Sequence, residues 1–95
     1  MLYEKILIIG KTITGERFRP SDWAERLYYT VASYGKNGRV IFNPLVNLKQ
    51  EDNSKCFVVD AQLQNKDPMI YDFLVDFAIS NKLEMRDQDH NLIQI

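Results

Sequence analysis

The chain is poor in the residues that build stapled or reactive sites. Cys56 is its one cysteine, so no intrachain disulfide can form; the redox compartment stays open, and a cytoplasmic protein fits best. His90 is its one histidine, and a zinc site would need partners at ligand spacing that the sequence does not offer. Four glycines are too scattered to make a phosphate-cradling loop. Neither charge is in excess: 12 basic and 13 acidic residues leave a net charge of −1. That balance gives no electrostatic ground for expecting nucleic acid or an anionic membrane surface. Long apolar runs are missing too. Ile6–Ile9 is too short for a signal peptide or a membrane span, and Met1–Lys5 ahead of it lacks a basic leader.

What is present is an ordinary globular composition, 45% hydrophobic and 26% charged, in a length that fits a single α+β domain over residues 1–95. A chain of this size hides about 60–65% of its unfolded surface, enough for one core. Ile6-Leu7-Ile8-Ile9 suits a central strand covered on both faces, ended or kinked at Gly10. Lys11 to Arg19 reads as a short β-excursion around Thr14-Gly15, or as a full strand of the sheet, which would give a different strand order. Arg39–Asn43 reads as a strand that Leu45–Leu48 continues. Pro44 cannot donate to a ladder, so an edge or a bulge is expected there. Lys49–Ser54 reads as a hairpin loop. Lys55–Leu63 reads as a strand with Phe57, Val59, Ala61 and Leu63 on one face.

Asp67 and Pro68 open a helix that runs to Ser80, with Asn81 as its left-handed C-terminal residue. Leu83–Arg86 alternates like a half-exposed edge strand, Asp87–Asn91 is a turn, and Leu92–Ile95 pairs back as a hairpin arm. The order strand, helix, strand, strand, helix, strand resembles the ferredoxin-like β-α-β-β-α-β arrangement, a two-layer sandwich with both helices on one face of an antiparallel sheet. It makes the first and third main strands central and the second and fourth edges.

The first helix starts in Phe18-Arg19-Pro20-Ser21-Asp22-Trp23-Ala24-Glu25-Arg26-Leu27, which holds the only tryptophan. Pro20 pushes Arg19 into an extended conformation. Ser21 is placed to cap the helix; if Asp22 caps instead, Glu25 has capping-box spacing. Trp23, Leu27, Val31 and Tyr34 then form one apolar face, and Gly35 is placed to end the helix in a left-handed conformation. This segment resembles the signature of a small bacterial family of unknown function. The resemblance extends to Lys55–Asp60 and to Asp67-Pro68, Tyr71, Phe73 and Phe77-Ala78. It implies a family and no activity.

Motifs with known chemistry break off early. Gly10-Lys11-Thr12 follows an apolar strand, but Lys5 stands where a phosphate loop needs its first glycine. Asp87, Asp89 and Asn91 match the opening of a calcium loop, but Leu92 occupies the glycine position and the chain ends before the closing glutamate. Lys55–Val59 sits where an RNA-recognition motif carries stacking aromatics, yet Phe57 is the only one. Cys56 and His90 lack an evident third group for nucleophilic catalysis, and Cys56 reads as a small buried hydrophobe.

Two surfaces remain as candidates. Arg17, Arg19, Asp22, Trp23, Glu25 and Arg26 form either a helix start tied down by ion pairs or a site at which Arg17 and Arg19 receive an acidic or carboxylate-bearing partner. On the second helix, Ile70, Phe73, Leu74, Phe77 and Ala78 suffice to face the sheet. Tyr71, Val75 and Ile79 are then a second stripe that must meet helix 1, the C-terminal arm or another chain as a homodimer. The reading is a non-enzymatic, cytoplasmic interaction or regulatory module with no cofactor and an unidentified protein partner. The alternative is a dimeric domain that binds a small-molecule ligand.

Overall fold

The structure, a computed structural model, describes residues 4–51 and 54–93. Its elements are β1 (Lys5–Thr12), α1 (Trp23–Thr30), β2 (Ser33–Tyr34), β3 (Val40–Ile41), β4 (Val46–Glu51), β5 (Ser54–Asp60), α2 (Leu63–Lys66), α3 (Pro68–Ser80) and β6 (Leu83–Asp87). Four strands make one antiparallel sheet in the order β4-β5-β1-β6; β2 and β3 pair separately. The apolar runs of β1 and β5 are thus central and the two weaker strands are edges, as their patterns require.

Register explains the core. Ile6 pairs with Val59 and Ile8 with Phe57, while Val46 and Leu48 stand opposite Val59 and Phe57 from the other side. With Met85 opposite Ile8, these residues share one face of the sheet. Trp23, Ala24 and Leu27 of α1, Leu63 of α2, and Leu74 and Ala78 of α3 close over that face. No helix among the described residues is long and apolar enough to cross a membrane.

The chain leaves β1 as a small hairpin, not as a further strand of the sheet. Thr12 N–H donates to Glu16 O at 2.8 Å and Phe18 N–H to Gly10 O at 3.1 Å. The turn returns Phe18 beside Trp23, their ring centroids 5.7 Å apart and edge to face. Phe77 of α3 stacks on the indole at 6.2 Å and meets Phe18 edge to face at 6.0 Å. Gly10 does not end β1; it lies within the strand, where the β1–β6 register shifts between Ile8 and Thr12. A Cβ at position 10 would stand 2.8 Å from Trp23 Nε1 and 3.0 Å from Lys55 O, so only glycine fits beneath the indole.

Several element ends differ from expectation, each for a local reason. Helix α1 stops at Thr30, well before Tyr34, and Ser33-Tyr34 extends to pair with Val40-Ile41. Gly35 is extended, and the left-handed residues are Asn37 and Gly38. Neither Ser21 nor Asp22 gives a side-chain cap: Asp22 Oδ2 instead accepts from Arg26 Nε at 2.9 Å, a charge-assisted bond that outcompetes capping. The strand expected over 39–48 is split. Asn43 Oδ1 accepts Leu45 N–H at 2.9 Å, and Pro44 sits in that turn, outside any ladder, ahead of edge strand β4.

Strand β5 ends at Asp60, whose Oδ1 accepts Gln62 N–H at 2.9 Å; this turn puts Leu63 on a helix, still fully buried. Of the expected 49–54 loop, Lys49–Glu51 and Ser54 belong to the β4–β5 ladder, and Asp52 and Asn53 lie outside the described residues.

Helix α3 spans the expected residues, with Asp67 capping Ile70 N–H at 3.2 Å. Its left-handed terminal residue is Lys82, not Asn81, whose side chain donates to Phe77 O instead. In β6, Leu83, Glu84 and Met85 are all buried, so the strand is not half exposed. Leu92 bridges back to Arg86 and Ile93 N–H donates to Met85 O at 2.8 Å, while Gln94 and Ile95 lie outside the described residues.

Burial of Trp23 among Phe18, Leu27 and Phe77 predicts that Trp23→Ala costs about 3–5 kcal/mol in urea denaturation. A loss under about 1 kcal/mol would mean that the indole does not hold these elements together.

Candidate functional site

Of the six residues singled out around the start of α1, Trp23 is a core residue, only 4% exposed. It is not available to a partner. The charged members resolve into pairs. Asp22 meets Arg26 one turn on, and the Arg26 guanidinium holds its carboxyl below the usual range. Glu25 Oε2 accepts from Lys55 Nζ of β5 at 2.5 Å. That ammonium lowers the Glu25 carboxyl in turn, chiefly through the hydrogen bond. The other oxygen, Oε1, is buried with no hydrogen-bond partner among the described residues. The two pairs tie α1 internally and to the sheet. Arg17 and Arg19 are exposed, and neither makes an ion pair among the described residues.

On α3 the expected division of faces is partly wrong. Phe73 is 44% exposed, so it does not face the sheet with Leu74 and Ala78. Phe77 is the residue that meets α1, through Trp23. Tyr71 packs against the core, and burial raises its hydroxyl above the usual range, with Asp72 adding to the effect. Val75 is half-buried. Ile79 lines a hollow of about 450 Å³ with Ile13, Leu92 and Ile93, beside the C-terminal arm rather than helix α1.

Two features escape the sequence reading. The first is an aromatic hairpin. Phe42 stacks on Tyr28 at 4.5 Å and meets Tyr29 edge to face at 5.2 Å, joining the end of β3 to α1. Around this contact Tyr29, Tyr34, Ile41 and Phe42 are all exposed, Tyr34 at 70%. The signal was there to read: from Leu27 to Lys49 the sequence has no Asp or Glu, but has Lys36, Arg39 and Lys49. Beneath the hairpin runs a mainly apolar groove of about 540 Å³ with Val31, Ile41, Phe42, Pro44, Leu45 and Ile70 along it.

The second feature lies on the sheet face turned away from the helices. Glu84, 7% exposed, is bracketed there by Lys11 and Arg86. Cys56 and His90 line the same hollow, although nothing in their spacing pointed to a shared site.

Residues 2–88 match a family described as "Protein of unknown function (DUF3579)". The chain belongs to this family. A solution structure described as that of the first structural representative of its family is similar to this DUF3579 member. It is 32% identical with a TM-score of 0.92, and the match covers 99% of this chain and 87% of that one. No curated protein matches the chain. The DUF3579 description names no activity, so each residue's role rests on its own chemistry.

The Glu25–Lys55 pair has a sign that can be checked. A carboxyl lowered on folding contributes stability above its unfolded pKa and loses it as pH falls through the lowered folded value. Lys55→Met is therefore expected to raise the Glu25 midpoint towards the ordinary range and to remove that part of the acid-side loss of stability. Carbon-13 shifts of the side-chain carboxyl, followed through an acid titration, would show it; an unmoved midpoint would contradict the pairing.

Proposed function

We propose that the protein is a non-enzymatic interaction module that docks an acidic protein segment on its aromatic hairpin. One observation carries this reading: Tyr29, Tyr34, Ile41 and Phe42 are exposed together, within a stretch that has cations and no carboxylate between Leu27 and Lys49. Exposed aromatics cost solubility unless something covers them, and aromatic side chains are the usual anchors of protein interfaces. Lys36 and Arg39 make no ion pair among the described residues and are placed in the connection between β2 and β3. They favour a partner rich in Asp and Glu and steer its approach. The groove beside Ile41 and Phe42 would take one bulky apolar side chain of that segment. Arg17 and Arg19, the arginines first expected to receive an acidic partner, add to the same preference for negative charge.

The order β4-β5-β1-β6 supports reading the main sheet with α1 and α3 as a ferredoxin-like unit. Hairpin β2–β3 and the short α2 are then additions to it. The hairpin being an addition to a scaffold already complete agrees with a recognition role.

Selection from a random peptide display library tests the proposal. Enriched peptides are expected to combine several Asp or Glu with one bulky apolar residue. The double substitution Tyr34→Ser and Ile41→Ser, at exposed positions, should weaken their binding at least tenfold with the fold retained by circular dichroism. Peptides without acidic enrichment, or equal binding by the double variant, would refute the assignment. So would a wild-type dimer that this variant dissociates in sedimentation, since the occupant would then be a second copy.

A further inference from the structure

We infer that the uncovered face of the sheet carries a separate site for a small organic monocarboxylate, held by Lys11 beside the Arg86–Glu84 pair. The hollow there has a volume of about 530 Å³. Ile9 and Cys56, paired across β1 and β5, form its floor, and Ser54 lies further along β5 at its edge. Glu84 of β6 stands in the wall with its side chain only 10% exposed. A carboxylate so far out of water persists only if cations pay its desolvation cost. Two are supplied. Arg86, two residues along the same strand, donates Nη2 to Glu84 Oε1. Lys11, at the far end of β1, faces Oε2 at 3.8 Å.

The two cations are not equivalent, and the difference points to a ligand. Arg86 is fixed, because its Nη1 also donates to His90 O at 2.8 Å. That carbonyl is itself held by a turn in which Asp87 Oδ1 accepts the N–H groups of Asp89 and Asn91, both at 2.9 Å. The guanidinium plane is therefore preorganised. Lys11 is at ion-pair range but beyond hydrogen-bond range of Glu84, and its side chain is 46% exposed. Its three N–H donors have no hydrogen-bonded partner among the described residues. Two positive groups thus share one negative group, and the local charge of this trio is +1. A ligand carboxylate beside Lys11 would balance it, giving each cation one carboxylate. A monoanion fits that count; a dianion would exceed it. The apolar floor of Ile9 and Cys56 suits a short aliphatic tail rather than a bare inorganic ion.

Butyrate is the probe, titrated into the full-length protein and followed by amide proton–nitrogen shifts at constant pH and ionic strength. Saturable shifts are expected at Ile9, Lys11, Cys56 and Glu84. Butyramide, the neutral analogue of the same shape, should give none. Lys11→Gln, at a half-exposed side chain that the core does not need, should weaken butyrate at least tenfold, and Lys11→Arg should restore most of the affinity. The inference fails if no saturable shift occurs, if butyramide matches butyrate, or if Lys11→Gln binds as the wild type does. It also fails if inorganic phosphate produces the same shifts at the same concentration, because the hollow would then select charge alone. The peptide-binding surface lies on the other side of the sheet, so neither result bears on it.

Discussion

The indole of Trp23 resting on Gly10 is the contact from which the rest of the arrangement follows. At position 10 any side chain would meet the ring nitrogen at 2.8 Å and the Lys55 carbonyl at 3.0 Å. Glycine lets the ring lie against the centre of the sheet, at the point where β1 changes register with β6. Phe18 then packs on the edge of the indole and Phe77 on its face, 5.7 and 6.2 Å away. The hairpin after β1 and the start of α1, close in sequence, are gathered with the distant end of α3 on one aromatic side chain. Aromatic pairs in such geometries contribute about 0.5–1.5 kcal/mol beyond the area they bury.

The surface features inherit their positions from that contact. With Trp23 seated, α1 is fixed in rotation, so Glu25 reaches Lys55 across the sheet and Tyr28 and Tyr29 turn towards Phe42. The aromatic hairpin is therefore anchored to the scaffold by α1 rather than by its own two-residue strands, which pair only with each other. On the opposite face of the sheet, the end of β1 beyond its register shift carries Lys11 to Glu84. One packing choice in the core thus bears on both sides of the molecule.

Much of the scaffold was legible in the sequence, because its signals are local and strong. The unbroken apolar run of β1 marked a central strand, Asp67-Pro68 marked the start of α3, and the segment around Trp23 marked the start of α1. The misreadings arose where tertiary partners outbid local propensity. Asp22 has the composition of a cap but bonds Arg26, and Glu25 has the spacing of a capping box but bonds Lys55. The apolar periodicity of α1 runs on to Tyr34, yet the backbone turns after Thr30 to make β2. Glu84 alternates with Leu83 and Met85 as an exposed residue would, and its burial depends on Lys11, more than seventy positions away and unreadable as a partner. The aromatic hairpin was missed for a different reason: Tyr34 was read on the apolar face of a longer helix, and Phe42 within a longer strand.

A double-mutant cycle between Gly10→Ala and Trp23→Phe tests the central contact most directly. If the indole is what excludes a side chain at position 10, Gly10→Ala costs about 1–3 kcal/mol in the wild-type background by overpacking. The cost should shrink by about 1 kcal/mol or more once the smaller phenyl ring replaces the indole, leaving a residual from the Lys55 carbonyl. Additive effects, agreeing within about 0.5 kcal/mol, would show that the two residues do not depend on each other and would contradict the account.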